Sequence, residues 1–240
     1  MSTIATARPG PGTDWTRGNA RVAGVAYLVT FAASIPAVLL IRPILDNPDY
    51  IVSVGSDTRV LIGCLLDAVN AIACVATAVA VFPVVRRQNE SMAVGFITSR
   101  MFEAAVIMIG VVSLLAIVSL RRDFADGAVT DSASLVTTGQ ALVAVRDYTF
   151  QFGPNISAAI NALLFGTLLY RSRLVPRIIP AIGLVGAPLL LIAGVTTVLG
   201  LTEQGSVWFI GAVPIALWEL SVGIWMTVKG FKPSPLTATA

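Results

Sequence analysis

Residues 178–201 read IIPAIGLVGAPLLLIAGVTTVLGL and contain no charged side chain. As an α-helix this run would be about 36 Å long, enough to cross a hydrocarbon core of about 30 Å. A strand of a membrane β-barrel would alternate apolar and polar residues over about 10 positions. This run is apolar throughout, so it predicts a transmembrane helix. Arg171, Arg173 and Arg177 stand just before it, where topology signals sit.

Five more runs of the same kind surround it: Val22 to Ile41, Val60 to Val85, Met92 to Leu120, Tyr148 to Tyr170 and Val207 to Val228. The first is too long for the apolar region of a signal peptide. The rest of the composition agrees. Hydrophobic residues make up 56% of the 240-residue chain and charged residues 12%; an ordinary soluble domain carries about 25% charged residues. Mean hydropathy is +0.84. These values exclude a soluble domain, a disordered chain and a nucleic-acid-binding module. The expected fold is all-α: a polytopic bundle of six transmembrane helices (22–232), with flexible tails at 1–20 and 233–240. The lipid bilayer is the expected partner. The segment from Val129 to Val145 is only mildly apolar, and reads as a short interfacial helix leading into the fourth span.

The basic residues orient the bundle. With both termini in the cytoplasm, Arg8, Arg17, Arg21, Arg86, Arg87, Arg100, Arg171, Arg173, Arg177, Lys229 and Lys232 fall on the inner side. Only Arg42, Arg59, Arg121, Arg122 and Arg146 fall outside. That asymmetry satisfies the positive-inside rule and predicts a plasma-membrane protein with both ends inside. Most acids, Glu203 among them, fall in the outer loops.

The chain has no histidine, which removes the usual zinc, haem and imidazole-base chemistries. No cofactor and no metal are expected; the carboxylates of Asp67, Glu103 and Glu219 could hold a hard cation, but nothing in their spacing requires one. Cys64 and Cys74 lie about 15 Å apart on one helix, beyond disulfide reach, and read as small buried hydrophobes.

The polar residues inside the spans carry the functional question. A charge at mid-membrane costs about 2.5–3.5 kcal/mol on the insertion scale and requires a partner or a wet cavity. From the helical rise, Arg100 lies about 12 Å deep and Glu103, Asn161 and Glu219 about 15–16 Å deep. Four polar side chains from three spans thus reach one level. Arg100 and Glu103, at i and i+3, share a face, and the planar fork of Arg100 can serve Glu219 as well. Asp67, Asn70, Gln151 and Asn155 form a second group nearer the outer side, about 10 Å deep. Each group has two readings: a ligand, ion or proton site, or a set of bonds that only pins helices together. Phe102-Glu103 and Trp218-Glu219 also hint at an inverted repeat.

Several stretches resemble the bacterial and archaeal membrane family known as domain of unknown function 4386. They are Arg21-Val-Ala-Gly-Val-Ala-Tyr27-Leu, Arg100-Met-Phe-Glu103-Ala, Phe152-Gly-Pro154, and Tyr170-Arg171-Ser172 with Leu174-Val-Pro176-Arg177. Trp218-Glu219-Leu and Val228-Lys229-Gly230-Phe231 complete the set. The resemblance spans about residues 20–232, and its strength lies in the order and spacing of these stretches. It implies a polytopic membrane protein without an agreed activity, with Arg100, Glu103 and Glu219 at recurrent polar positions. Similar proteins often carry His where this chain has Arg146, before Asp147.

The expected function is binding or transport of a small or lipidic molecule through a polar intramembrane cavity. The alternatives are an intramembrane enzyme using Glu103 and Glu219 as acid and base, and a structural or regulatory subunit. A transporter requires an open cavity joining both polar groups. An enzyme requires a closed pocket with two carboxylates facing an apolar space. A scaffold requires no pocket.

Overall fold

The computed structural model describes residues 12–202 and 208–237. The α-helices among them are α1 (Gly12–Leu45), α2 (Thr58–Val85), α3 (Glu90–Ala125), α4 (Ser132–Phe150), α5 (Ala158–Ser172), α6 (Ile178–Val198) and α7 (Trp208–Val228). A π-helical stretch, Gln151–Ser157, joins α4 to α5 without a break. With α4 and α5 taken as one, six stretches are long and apolar enough to cross a membrane. The protein is a multi-pass helical membrane protein.

The connections are short, so successive helices run antiparallel. The start of α1, the α2–α3 and α5–α6 turns and the end of α7 share one end of the bundle, the termini end. The α1–α2 and α3–α4 loops lie at the other, the far end. Each span packs on its neighbour in sequence, α3 packs on α5, and α7 returns to α1. The spans therefore form a closed ring with an interior.

Several helices outrun their apolar segments. α1 is already helical at Gly12, well before Val22, so much of the expected tail is helical, with Thr16 and Ala20 buried. The third runs from Glu90 to Ala125, beyond Met92 to Leu120. The fourth span is part of an unbroken helical run from Ser132, which includes the segment read as interfacial. α6 stops at Val198, short of Leu201. The physical reason is common to the first three. Backbone hydrogen bonds continue a helix past the lipid boundary wherever side chains find packing, whereas an apolar run records only the lipid-facing part. The distal tail is also partly docked, since Arg87 Nη1 donates to the Leu236 carbonyl at 3.2 Å. Residues 1–11 and 238–240 of the expected tails, Glu203 and the expected start of the last span at Val207 lie outside the described residues.

Gly24 and Gly211 set the course of α7. A Cβ on Gly24 would lie 2.5 Å from the Thr227 backbone nitrogen, so α1 and α7 touch backbone to backbone near the termini end. A Cβ on Gly211 would lie 2.3 Å from the Leu190 nitrogen, which fixes the other half of α7 against α6. Pinned to α1 at one end and α6 at the other, α7 diverges from α1 toward the far end.

At the far end, Asp57 organises the α1–α2 loop. Arg121 Nη1 and Arg122 Nε donate to its two carboxylate oxygens, and Tyr50 Oη donates to Oδ1 at 3.2 Å. Arg121 also donates to the carbonyls of Ser53 and Gly55 and lies over the Tyr50 ring. Burial pushes the Asp57 carboxyl up, but the bonds from Arg122 and Arg121 outweigh it and hold the group below its ordinary 3.8. A lowered value means the clamp is fully stabilising above 3.8 and is lost as pH falls through the lowered value. A spin label on the exposed Val54 is expected to gain mobility on acidification into that range. With Asp57→Asn it should be mobile already at neutral pH; a label indifferent to both changes would refute the clamp.

Candidate functional site

The inner polar group assembles around Arg100 of α3. Its Nη1 donates to Glu103 Oε2 at 2.9 Å and its Nη2 to Glu219 Oε1 of α7 at 3.0 Å. Asn161 Nδ2 of α5 donates to the same Glu103 oxygen at 2.7 Å. Arg100 Nη1 also lies 3.6 Å from Cys74 Sγ of α2. The depths read from the sequence thus correspond to direct bonds. Arg100 and Glu103 are buried, at 2% and 6% side-chain exposure, and Glu219 retains 17%.

An aromatic cluster lies beneath this tetrad on the termini side. Phe165 stacks with Phe96 at 4.7 Å and with Tyr27 at 6.3 Å, and meets Trp218 at 5.9 Å. The Arg100 guanidinium lies over Tyr27 at 5.0 Å and Phe96 at 5.8 Å, so the cation is held on ring faces as well as by carboxylates. Trp218 packs against Gly183 and is buried, whereas Phe102, its counterpart in the suggested inverted repeat, is 52% exposed. The two aromatic–Glu pairs are therefore not structurally equivalent.

The outer group is held differently. Asn155 Nδ2 donates to Gln151 Oε1 at 3.0 Å, and Gln151 Nε2 donates to the Gly194 carbonyl of α6 at 3.1 Å. Cys74 Sγ approaches Asn70 Oδ1 at 3.9 Å. Asp67 pairs with Arg146 of α4, Nη2 to Oδ2 at 3.5 Å. The charge pattern places Arg146 in an outer loop; in the structure it is buried, over the Phe150 ring at 5.2 Å. The signal that would have found it is the need of Asp67 for a cation, with Arg146 one turn before Phe150 on the apolar side of its own helix.

The π-helical stretch explains how the fourth span serves this group. Pro154 has no N–H, so the α-helical bond to the carbonyl four residues earlier cannot form. The wider turn absorbs the defect, as such turns do near functional sites. Ser157 Oγ donates to the Phe152 carbonyl at 2.8 Å, and Gln151, Gly153 and Asn155 all face inward.

One cavity of about 640 Å³ joins the two groups. Arg100, Glu103 and Glu219 line it from the inner group, and Asp67, Asn70, Asn155 and Arg146 from the outer. Asn161 and Gln151 do not line it; they hold Glu103 and Asn155, which do. Most of the remaining wall is apolar. It includes Phe31, Ile35, Val38 and Leu39 of α1, Ile107 of α3 and Ala212, Ile215 and Ala216 of α7. Ile35 and Leu39 are 58% and 51% exposed, so the cavity is open where α1 and α7 diverge. The aromatic cluster lies at its opposite limit. Cys64 and Cys74 are free and buried, and no three His, Cys, Asp or Glu side chains gather as a metal set among the described residues.

No curated protein and no solved structure matches the chain. The family described as "Domain of unknown function (DUF4386)" matches it over residues 22–230, which is nearly the whole helical ring. This multi-pass membrane protein belongs to that family.

Proposed function

We propose that this protein binds or transports a small or lipidic molecule through the cavity inside its helix ring, in the plasma membrane and with both termini cytoplasmic. The observation that carries the reading is one open cavity that reaches both polar groups. A volume of about 300–1,000 Å³ with apolar walls and a few convergent polar groups is the usual form of a small-molecule site. Both Arg100-bound carboxylates are already engaged in ion pairs, which favours recognition over acid–base catalysis. The basic residues at the termini end support the orientation.

The test is cavity labelling. Membranes containing the protein are irradiated with adamantyl diazirine, a neutral photoreactive probe, and adducts are mapped by mass spectrometry. Adducts are expected on the cavity residues Leu190 and Ile215 as well as on lipid-facing Leu65 and Ile72. Ala216→Trp fills the cavity and should abolish the first set while sparing the second. Cavity residues that take no label, or keep it in Ala216→Trp, would overturn the reading.

A further inference from the structure

The charges lining the cavity do not balance. Among its described lining residues Arg100 and Arg146 are cationic, and Asp67, Glu103 and Glu219 are anionic. Asp67 and Arg146 form one pair. Arg100 must therefore serve both Glu103 and Glu219, which leaves one negative charge in excess. In a water-poor interior an uncompensated charge is costly, so it is cancelled either by a proton or by a bound cation.

The excess is presented on one atom. Glu103 Oε2 accepts from both Arg100 and Asn161, and Glu103 is buried. Glu219 gives Oε1 to Arg100. Its second oxygen makes no hydrogen bond among the described residues, and its side chain is the most accessible of the three at 17%. Neither arginine offers a counterpart to an anion of equal strength. Arg100 has both terminal nitrogens engaged and its Nε buried, and the charge of Arg146 is met by Asp67. Apolar side chains of α1 and α7 form much of the wall on the side of Glu219, with the Phe31 ring among them. Ring faces attract cations and disfavour anions.

We infer that the cavity takes an amphipathic organic monocation, its charge set beside the free oxygen of Glu219 and its apolar body against α1 and α7. This rests on the binding reading above and names the ligand class for the same cavity. The chemistry required is one delocalised or substituted onium charge on an apolar frame, small enough for about 640 Å³.

Two probes of nearly equal size and opposite charge separate the outcomes: tetraphenylphosphonium and tetraphenylborate. Their binding to the purified full-length protein in detergent is measured by equilibrium dialysis, with Ala216→Trp as the background. Saturable binding of the phosphonium alone is expected. Glu219→Gln, which keeps an acceptor for Arg100 but removes the excess charge, should weaken it about tenfold or more. Equal binding of both ions, or binding of the borate alone, would overturn the inference. If neither ion binds while adamantyl diazirine still labels the cavity, the ligand class fails and the binding reading stands. If labelling is absent too, both fail. Should Glu219→Gln not fold, the comparison of the two ions on the native chain decides alone.

Discussion

Arg100→Met is expected to cost about 3–5 kcal/mol of stability, because it leaves two carboxylates without their shared cation inside the bundle. Methionine fills much of the arginine volume and can lie on Tyr27 and Phe96, so packing loss is small. What is lost is the bridge from α3 to Glu219 on α7 and the neutralisation of Glu103. Breaking a buried pair by removing one partner is far worse than removing the whole set. The triple variant Arg100→Met, Glu103→Gln, Glu219→Gln should therefore recover most of the loss, with Asn161 still free to bond residue 103. Residual folded fraction after heating in detergent, read by size-exclusion chromatography, measures both. A single variant as stable as the native chain, or a triple variant no better than the single, would show that the charges are not coupled in this way.

The second large effect is expected at Gly24. Leucine there would place its Cβ 2.5 Å from the Thr227 nitrogen and 2.7 Å from the Gly223 carbonyl oxygen. Backbone cannot swing aside as a long side chain does, so α1 and α7 must part. Overpacking of this kind costs about 1–3 kcal/mol, and rigid neighbours place Gly24→Leu at about 3 kcal/mol. Gly18 is the internal control. It lies in the same helix with nothing within 4 Å of an added Cβ, so Gly18→Ala should stabilise by about 0.5–1 kcal/mol through backbone entropy alone. The same thermal assay reads both. Comparable losses at the two positions would mean that helix distortion, and not the α1–α7 contact, sets the cost.

The inner polar group was legible in the sequence because depth along a helix is simple arithmetic. Arg100, Glu103, Asn161 and Glu219 stand at matched distances from the ends of their runs, and charges in lipid must meet. The family membership was legible for the same reason, since its stretches mark those positions. Arg146 was not, because an arginine at the edge of an apolar run reads alike whether it faces water or turns inward. Its company, Asp147 and the polar residues of α4, pointed outward. The true extent of α1, α3 and α4 was hidden for a related reason: their ends are helical through packing against other helices, which leaves no mark in hydropathy. Nor could the sequence give the divergence of α1 and α7, which follows from two glycines meeting the backbones of other helices.

The π-helical stretch lets the fourth span carry an extra residue between the two polar groups without turning one away from the other. Upstream of it stand Arg146 and the partner it offers Asp67; downstream stands Asn161, which holds Glu103. Removing one residue from 151–157 would let the wide turn relax toward an α-helix. The wider winding of the turn already offsets one residue, so the side chains on either side of it would keep nearly the same relative directions. Arg146 would still reach Asp67 and Asn161 would still reach Glu103. What would change is local: the backbone that brings Gln151 and Asn155 inward. A one-residue gap within these seven positions is therefore the length change that the rest of the bundle absorbs best.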